Sequence, residues 1–390
     1  MSQLTDTLSK YWEKIQGSLF PWVEEELDPL TEKQQQLVSI LEVVRIEDFL
    51  PCYYGCEGRP QKTRSAIARS FVVKMVYNLD TTTFLIDRLK SDKSLRRICG
   101  WESLSQLPSE ATFSRAFAEF AQTGLPQRAH EELILKTLKK EVILHNSRDS
   151  TAIEARERPQ AKAKDQATQN SDGTGQELEP KKKGRRKKGQ ERAKPEPTRI
   201  ERQKTMTLEE MLADLPAACD KGAKKDSKGN TMYWTGYKLH LDTIDGGIPV
   251  SAIVTSASVH DSQVAIPLAI LTATRIVNCY DLMDAAYDVP AIAAHSQSLG
   301  HKPLIDKNPR ADKQLRKDLE AEHLARRTLN LIFPETLRYN ERTAAERTNS
   351  RLKDEFGACK LRVRGIAKVA CHLMFGVLVL TADQLMKLVT

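Results

Sequence analysis

The chain has 390 residues, of which 40% are hydrophobic, so it can bury the cores of two or three domains and is not a disordered polymer. It carries 60 lysine and arginine residues against 52 acidic ones, a formal net charge of +8. The charge is uneven: residues 1–50 have four basic and ten acidic side chains, whereas residues 160–200 have twelve basic and six acidic. This balance favours a nucleic acid or an acidic surface as partner, and charge alone does not decide between them.

Cysteine spacing and hydropathy indicate a cytoplasmic protein. Only Cys52 and Cys56 of the seven cysteines lie close together, and no histidine follows them at zinc-ligand spacing. We therefore expect reduced thiols, with zinc at this pair as the less favoured alternative. The N-terminus lacks the apolar block of a signal peptide. The most apolar run, residues 369–380, is short for a membrane span, so it is predicted to be a buried or subunit-packing helix, with no membrane partner.

The N-terminal part of the chain is predicted to be all-helical. Residues 1–50 form an amphipathic helical segment, and the Gly- and Pro-rich sequence CYYGCEGRPQKTR marks a boundary after it. Residues 51–140 contain several helices, one of which, ATFSRAFAEF, begins after Pro108. Two short helices joined by a turn, with Ser114 and Arg115 exposed, are typical of a helix-turn-helix, although all-helical domains that do not bind DNA share the pattern.

A basic insertion is predicted over residues 155–205. Its sequence has almost no large apolar side chains, so folding would bury too little surface to offset the entropy of ordering the chain. We expect it to be disordered. The run KKKGRRKKG within it is suited to contact phosphates without sequence preference, and a solvated linker is the alternative.

Residues 141–390 show the pattern of an α/β domain. The strand-like run EVILH comes first, and MYWTGYKLHLDT and GIPVSAIVTSAS later flank an Asp-Gly-Gly hairpin signal. HDSQVAIPLAILTA is predicted to be a helix capped by Asp261 or Ser262, with His260 as its structural neighbour. Strand RIVNCYDLMD, helix VPAIAAHSQSLG, strand HKPLIDKN and a charged connection follow. This order indicates a mixed sheet.

A polar helix after that connection carries Tyr339, Arg342, Glu346 and Lys353 at offsets of zero, three, seven and fourteen. At about 100° per residue these positions fall on one narrow stripe, roughly 20 Å long. A core stripe would consist of Leu, Val and Phe. A solvated charged face is one interpretation, and a surface that holds a long polyanion around one carboxylate is the other.

Two aspartates that follow strand-like runs are candidate partners of Glu346. Asp149 follows EVILH, and Asp284 closes the strand IVNCYDLM. A sheet can bring two strand ends together, and a helix packed on the sheet can add the glutamate. Three carboxylates with oxygen-only ligation suit Mg²⁺ or Mn²⁺ rather than zinc, and two such ions about 4 Å apart promote phosphodiester cleavage. Taken singly, each aspartate is more readily a turn former or a helix cap.

The spacing Tyr339-x2-Arg342-x3-Glu346-x6-Lys353 resembles, at every position, the Tyr-Arg-Glu-Lys signature of bacterial insertion-sequence DDE transposases. SRDSTAI and LMDAAYD are similar to the first and second aspartate segments of that family. GRPQKTRSAIARSF, LRRICGW and LPSEATFSRAF are similar to its helical N-terminal domain. The resemblance spans roughly residues 50–390 apart from the basic insertion.

The resemblance implies an RNase H-like catalytic core in which Asp149, Asp284 and Glu346 hold two Mg²⁺ or Mn²⁺ ions. It implies a transposase that binds the double-stranded DNA ends of an insertion sequence, cleaves them and transfers the freed 3′-OH to target DNA. A homodimer on DNA and a place at the bacterial nucleoid are implied in the same way. The residues expected to contact DNA are Tyr339, Arg342, Lys353, Arg115 and Lys238, where Lys238, on one strand with His240, faces either DNA or solvent.

The spacing also departs from some relatives. Asp284 and Glu346 are 62 residues apart (346 − 284), too few for the large β insertion that some signature-bearing relatives place there. Asp149 and Asp284 are 135 residues apart (284 − 149), because the basic segment lies between them. Whether excision passes through a hairpin end stays open. The alternative functions are an inactive or domesticated DNA-binding regulator of the same fold, and a nuclease that hydrolyses DNA without joining it.

Overall fold

The N-terminal part of the chain is a layer of helices. The computed structural model describes residues 3–27, 29–51, 63–139, 141–159, 197–225, 230–310 and 312–389. The predictions for Cys52, Cys56 and the run KKKGRRKKG fall outside these residues. The helices of this layer are α1 (Gln3–Lys14), α2 (Phe20–Glu26), α3 (Glu32–Val44), α4 (Arg64–Val76), α5 (Thr82–Ser91), α6 (Lys93–Ile98), α7 (Glu110–Thr123) and α8 (Leu125–Leu138).

Local signals determine where several of these helices begin and end. The Thr31 hydroxyl accepts a hydrogen bond from the backbone N–H of Gln34, and the Gln34 side chain accepts one from the backbone of Thr31, so a capping box starts α3. Gly124 ends α7 with a φ of 60°, a left-handed conformation that favours glycine. Pro126 lies in the first turn of α8, where a missing N–H leaves no hydrogen bond unmade.

Helix α7 has the two faces that its sequence predicts. Phe113 and Phe117 are buried, and the Phe117 ring centroid lies 4.9 Å from that of Phe71 on α4. Ser114 and Arg115 are exposed on the opposite side. Contact between Arg115 and DNA stays a prediction.

A mixed sheet of six strands follows in the described part of the chain. The strands are β1 (Val142–Glu154), β2 (Asp220–Lys225), β3 (Thr231–Ile244), β4 (Ile248–Ser256), β5 (Val277–Met283) and β6 (Lys302–Ile305). Antiparallel pairs join β1 to β3 and β3 to β2 and β4, whereas β5 runs parallel to β1 and β6 parallel to β5. The predicted α/β architecture with a mixed sheet is confirmed.

The remaining helices surround this sheet or extend from it. They are α9 (Arg199–Gln203), α10 (Leu208–Asp214), α11 (Ala265–Ala273), α12 (Pro290–Ser298), α13 (Lys313–Thr328), α14 (Pro334–Asn340), α15 (Thr343–Asp354) and α16 (Ile366–Met386). Two of them differ from the predictions. Helix α9 lies inside the segment predicted to be disordered, because Thr198 and Glu201 form a capping box. Helix α13 occupies the predicted charged connection.

Two boundaries in the sheet region also differ from the predictions. Asp149 does not follow a strand but lies within β1, because β1 stays paired with β3 as far as Glu154. Helix α11 begins later than predicted, at Ala265, and Asp261–Gln263 form a short 3₁₀ turn before it. His260 caps that turn, since its side chain accepts from the backbone N–H of Ser262. The predicted strand end at Asp284 is confirmed, because β5 stops at Met283.

The C-terminal helix α16 joins the helical layer to the sheet. One apolar cluster extends from Leu8 through the helical layer, along β3 and β4, to Met386. The opposite face of β4 contributes Ile253 to a smaller cluster with Leu268 of α11, so the sheet lies between two helical layers. Among the described residues, α16 is long and apolar enough to span a membrane, but 78% of its apolar window is buried in the protein. The prediction of a buried helix is confirmed.

We expect Gly376→Ala to destabilise this packing. A Cβ at Gly376 would lie 2.5 Å from the carbonyl oxygen of Phe356, a backbone atom that has little room to move. Overpacking of this kind lowers the free energy of unfolding by about 1–3 kcal/mol, measured as a lower urea midpoint. Gly17→Ala is the matched control, because a Cβ there meets no atom within 4 Å. An unchanged midpoint for Gly376→Ala would contradict the tight approach of α16.

Candidate active site

A buried ion pair sets the orientation of β1. The guanidinium of Arg148 donates from Nε to Asp242 Oδ1 at 2.8 Å and from Nη2 to Asp242 Oδ2 at 2.7 Å, and both side chains are buried. Burial alone would lower the pKa of Arg148, but the charge and hydrogen bonds of Asp242 raise it, so the guanidinium stays charged. Because side chains alternate along a strand, Asp149 points to the opposite face.

Asp149 and Asp284 lie side by side at the centre of the sheet. Strands β1 and β5 are parallel, and their register pairs Arg148 with Met283, the residues immediately before the two aspartates. Neighbouring strands lie about 4.8 Å apart, so Asp149 and Asp284 are adjacent on the sheet. Asn349 of α15 donates from Nδ2 to Asp149 Oδ2 at 2.9 Å. The backbone N–H of Ala286 donates to Asp284 Oδ1 at 2.9 Å.

Both carboxyl groups bind protons more tightly than exposed aspartates. Burial raises the pKa of Asp149, and the nearby charge of Asp284 raises it further. Burial also raises the pKa of Asp284, against the lowering effect of the Ala286 N–H, and the charge of Asp261 adds to the rise. Two partly desolvated carboxylates in one place favour a positive charge between or beside them.

Arg342 supplies such a charge. Its Nη2 donates to Glu346 Oε1 at 2.7 Å, and its charge lowers the pKa of both Asp149 and Asp284. The guanidinium therefore lies close to all three carboxylates of the sequence prediction. Its Nε is buried without a hydrogen-bond partner among the described residues, so the group has donor capacity left.

The three predicted metal ligands are not grouped as one metal site among the described residues, and their role stays a prediction. Among the residues that the structure describes, no three His, Cys, Asp or Glu side chains are grouped so that they could hold a metal ion. Asp149 and Asp284 come together, but Glu346 is 52% exposed and paired with Arg342. An ion pair between residues four apart on a helix is locally favourable, and it gives Glu346 a partner other than a metal ion. The two aspartates alone offer too few ligands for two divalent ions.

The polar stripe is carried by two helices rather than by the single predicted helix. Helix α14 ends at Asn340, and Glu341 and Arg342 form a tight turn before α15. Through this turn backbone N–H groups bond three residues back, as from Arg342 to Tyr339, instead of four. The stripe is nevertheless continuous from Tyr339 to Glu346, because the Arg342 guanidinium lies 5.7 Å from the Tyr339 ring centroid. Tyr339 Oη donates to Asp306 Oδ2 at 2.6 Å.

Two lysines continue the positive charge beyond Arg342. Lys353 lies near the end of α15, and burial together with the charge of Lys224 on β2 lowers its pKa. The charge of Lys224 also lowers the pKa of Asp149 and of Asp284. The sequence position of Lys224, near the basic insertion, gave no sign of this effect on the aspartates.

Lys238 is largely buried, contrary to the solvent-facing alternative, and its contact with DNA stays a prediction. Its Nζ donates to the Val259 carbonyl and to Asp261 Oδ1, each at 2.9 Å, and its side chain is only 13% exposed. His240 is buried beside Thr255, with 2.9 Å between His240 Nε2 and the Thr255 hydroxyl. The physical reason is the ion pair, which holds Lys238 against Asp261.

Sequence reasoning missed Asn349 and Asp261. Asn349 lies three residues after Glu346, a spacing that places both on one side of α15, so the helical period was a usable signal. Asp261 follows strand β4 as a polar residue after an apolar run, the same signal that indicated Asp284. Both missed side chains act on the aspartate pair: Asn349 by a hydrogen bond and Asp261 by its charge.

The part of the chain that holds this arrangement matches a known family. The family model described as Transposase DDE domain matches residues 147–382, which are 236 of the 390 residues (382 − 147 + 1). The chain belongs to the DDE transposase family. A second family model, described as Transposase domain (DUF772), matches residues 25–119, so it crosses the boundary predicted near residue 51. No curated protein and no solved structure matches the chain.

The two family models match different parts of the transposase fold. The DUF772 match ends inside α7 and lies within the helical layer. The DDE match begins at residue 147 on β1, includes the aspartate pair and Arg342, and ends in α16. The resemblance in the sequence to DDE transposases is thus supported at the level of the family.

Asp149→Asn should raise the melting temperature of the transposase at neutral pH. A carboxyl group whose pKa is raised by folding destabilises the folded state at every pH above that pKa, and the penalty disappears as the pH falls below the ordinary carboxyl range. The asparagine oxygen can still accept the Asn349 hydrogen bond. Asp87→Asn on the exposed face of α5 is the control. A lower melting temperature for Asp149→Asn at neutral pH would contradict a raised pKa of Asp149 in the folded protein.

Proposed function

We propose that this transposase binds the double-stranded ends of an insertion sequence, cleaves them and transfers the freed 3′-OH to target DNA. The observation that carries the proposal is the pair Asp149 and Asp284, side by side on parallel strands and close to the Arg342 guanidinium. A family match over the same residues supports it. The strand order β4-β3-β1-β5-β6, antiparallel and then parallel, supports an RNase H-like core.

Positive side chains near the aspartates are suited to hold the DNA backbone. Arg342 has an unused Nε, and the planar guanidinium is well matched to a phosphate. Lys353 and Lys224 add two further charges in the same region. The Tyr339 hydroxyl donates its hydrogen bond to Asp306, and the Tyr339 ring packs against the Arg342 guanidinium. We propose that Tyr339 positions these two side chains. It would contact a phosphate only if the hydrogen bond to Asp306 were broken.

We propose that cleavage depends on Mg²⁺ or Mn²⁺, as the family relationship implies. The proposed ligands are Asp149 and Asp284, which follow one register on neighbouring parallel strands, and Glu346, which would leave its ion pair with Arg342 to join them. An inactive DNA-binding regulator is the second candidate function, and the observation in its favour is this ion pair of Glu346 with Arg342. A homodimer on the DNA ends and a location at the bacterial nucleoid remain proposals drawn from the same relationship.

Asp284→Asn should separate the two candidate functions. We expect the variant to bind DNA carrying the element ends but to nick it at least about 10³-fold more slowly, because a divalent ion that would neutralise the developing negative charge on the phosphodiester would lose one of its carboxylate ligands. Chelation with EDTA should abolish nicking by the wild-type protein. Specific binding without nicking by the wild type, unaltered by Asp284→Asn, would identify the regulator. Strand-transfer products on supplied target DNA would exclude a nuclease that only hydrolyses.

Arg342→Gln should weaken binding of the element ends and reduce the dependence of log K on log salt by about one, since one phosphate contact is lost. Arg326→Gln is the matched control, because Arg326 makes the same kind of pair with a glutamate four residues away on α13. Fluorescence anisotropy over a range of salt concentrations measures both. Equal salt slopes for Arg342→Gln and the wild type would remove Arg342 from the DNA contacts.

A further inference from the structure

Helix α13 stands apart from the rest of the fold. No residue of α13 or of α14 is buried by the described part of the chain. A helix of roughly 12–15 residues is only marginally stable in water, and most helices in proteins are stabilised by packing one face against a neighbour. Helix α13 has 16 residues and lacks such a neighbour among the residues that the structure describes.

The turn that follows α13 is nevertheless ordered. Asn330 has a left-handed φ of 51°, and the backbone N–H of Leu331 donates to the Arg326 carbonyl at 3.0 Å, as in a Schellman motif at a helix end. The Arg326 guanidinium lies 4.8 Å from the centroid of the Phe333 ring. Phe333 is therefore held against the last turn of α13.

Helix α14 connects α13 to the sheet. The Arg338 guanidinium lies 4.6 Å from the centroid of the Tyr280 ring on β5. Lys302 Nζ on β6 lies 3.3 Å from Glu335 Oε1 on α14. A molecule that binds α13 therefore has a defined position relative to β5, the strand that Asp284 follows.

One face of α13 has the spacing of a coiled-coil seam. The positions at offsets of 0, 4, 7, 11 and 14 from residue 315 fall within about 80° of one another, at about 100° per residue. Phe333 continues this face, because its ring lies against Arg326. Leu315, Leu329 and Phe333 are 37%, 65% and 45% exposed. The residues of this face, named here the α13 seam, are Leu315, Leu319, Glu322, Arg326, Leu329 and Phe333.

The α13 seam is complementary to itself. It has two apolar residues at each end and an ion pair of an acid and a base at its centre. If two antiparallel copies meet at a two-fold axis level with residue 324, every position of one seam faces a suitable position of the other. The pairs formed between the copies are Leu315 with Phe333, Leu319 with Leu329, and Glu322 with Arg326. A two-fold contact requires this reciprocity, whereas an unrelated partner does not.

The size of the exposed segment also fits a second copy of the chain. Residues 313–340 are 28 residues (340 − 313 + 1), and none of them is buried by the described chain. A standard protein–protein interface uses roughly 20–30 residues from each partner. DNA fits the seam poorly, since its exposed apolar side chains and Glu322 offer nothing to a phosphate.

We propose that α13 pairs in antiparallel orientation with α13 of a second copy of this chain through the α13 seam. The inference rests on the homodimer of the proposed function, for which it names the surface. Because α14 ties α13 to the sheet, the pair holds the Asp149 and Asp284 sites of two copies at a fixed separation. Two sites held in this way suit the two ends of one element.

Light scattering of the full chain without DNA, over a range of protein concentrations, tests the proposal. We expect the wild type to have twice the mass of one 44.0 kDa chain. Leu329→Glu should have the mass of one chain, because it places an unpaired carboxylate between apolar side chains. Leu324→Glu is the matched control: Leu324 is 66% exposed but lies on the opposite side of α13, so this variant should stay dimeric.

A charge exchange at the centre of the seam gives an independent test. Arg326→Glu should have the mass of one chain, since it gathers four acidic side chains around the two-fold axis. Adding Glu322→Arg should restore the dimer, because each acid then faces a base again. Arg326→Gln should stay dimeric, since glutamine can still donate to the partner's Glu322 and brings no like charges together.

A wild type with the mass of one chain at every concentration would overturn the proposal. So would a dimeric Leu329→Glu, an equal loss of mass in Leu324→Glu, or a double charge variant that stays a single chain. Asp284→Asn should keep the wild-type mass. Loss of nicking with an intact dimer therefore counts against the proposed chemistry, whereas a change of mass concerns the seam alone.

Discussion

The ion pair of Arg148 and Asp242 decides which way the central strand faces. Removing one partner of a buried bidentate ion pair destabilises the folded protein by about 3–5 kcal/mol. A register of β1 and β3 that separates Arg148 from Asp242 would carry a similar cost. A shift by one residue would turn Arg148 toward α15 and bury Asp149 under α11. The position of Asp149 opposite Asn349 and beside Asp284 thus depends on a residue pair that takes no direct part in the site.

Opposing electrostatic effects act on the carboxyl groups of Asp149 and Asp284. Burial makes both carboxyl groups resist ionisation, while the Arg342 guanidinium and the Lys224 ammonium favour it. Glu346 competes for the same guanidinium. A DNA phosphate would compete with Glu346 for Arg342, so the binding of DNA and the freedom of Glu346 are coupled through one side chain. The charges that we propose to attract DNA therefore also influence which carboxylates are unpaired.

Local sequence patterns predicted the mixed sheet, the strand end at Asp284 and the burial of α16, because each follows from periodicity and apolar runs. They failed where distant residues decide the outcome. Asn349 and Asp149 are 200 residues apart, and Arg148 and Asp242 are 94 apart, so no local window contains either pair. The break between α14 and α15 was missed for a different reason, since the stripe keeps its helical spacing through a tight turn. The polar stripe was recognised, but the partner of its glutamate was not.

The burial of α16 among the N-terminal helices has a consequence for biosynthesis. The apolar cluster that includes Leu8 and Phe71 is completed by Phe375 and Met386, which the ribosome adds some 300 residues later than Phe71 (375 − 71 = 304). Until α16 emerges, the helices made first present an open apolar surface to chaperones and proteases. A nascent or prematurely terminated chain therefore cannot close its core, and we expect it to be more sensitive to proteolysis than the full-length chain.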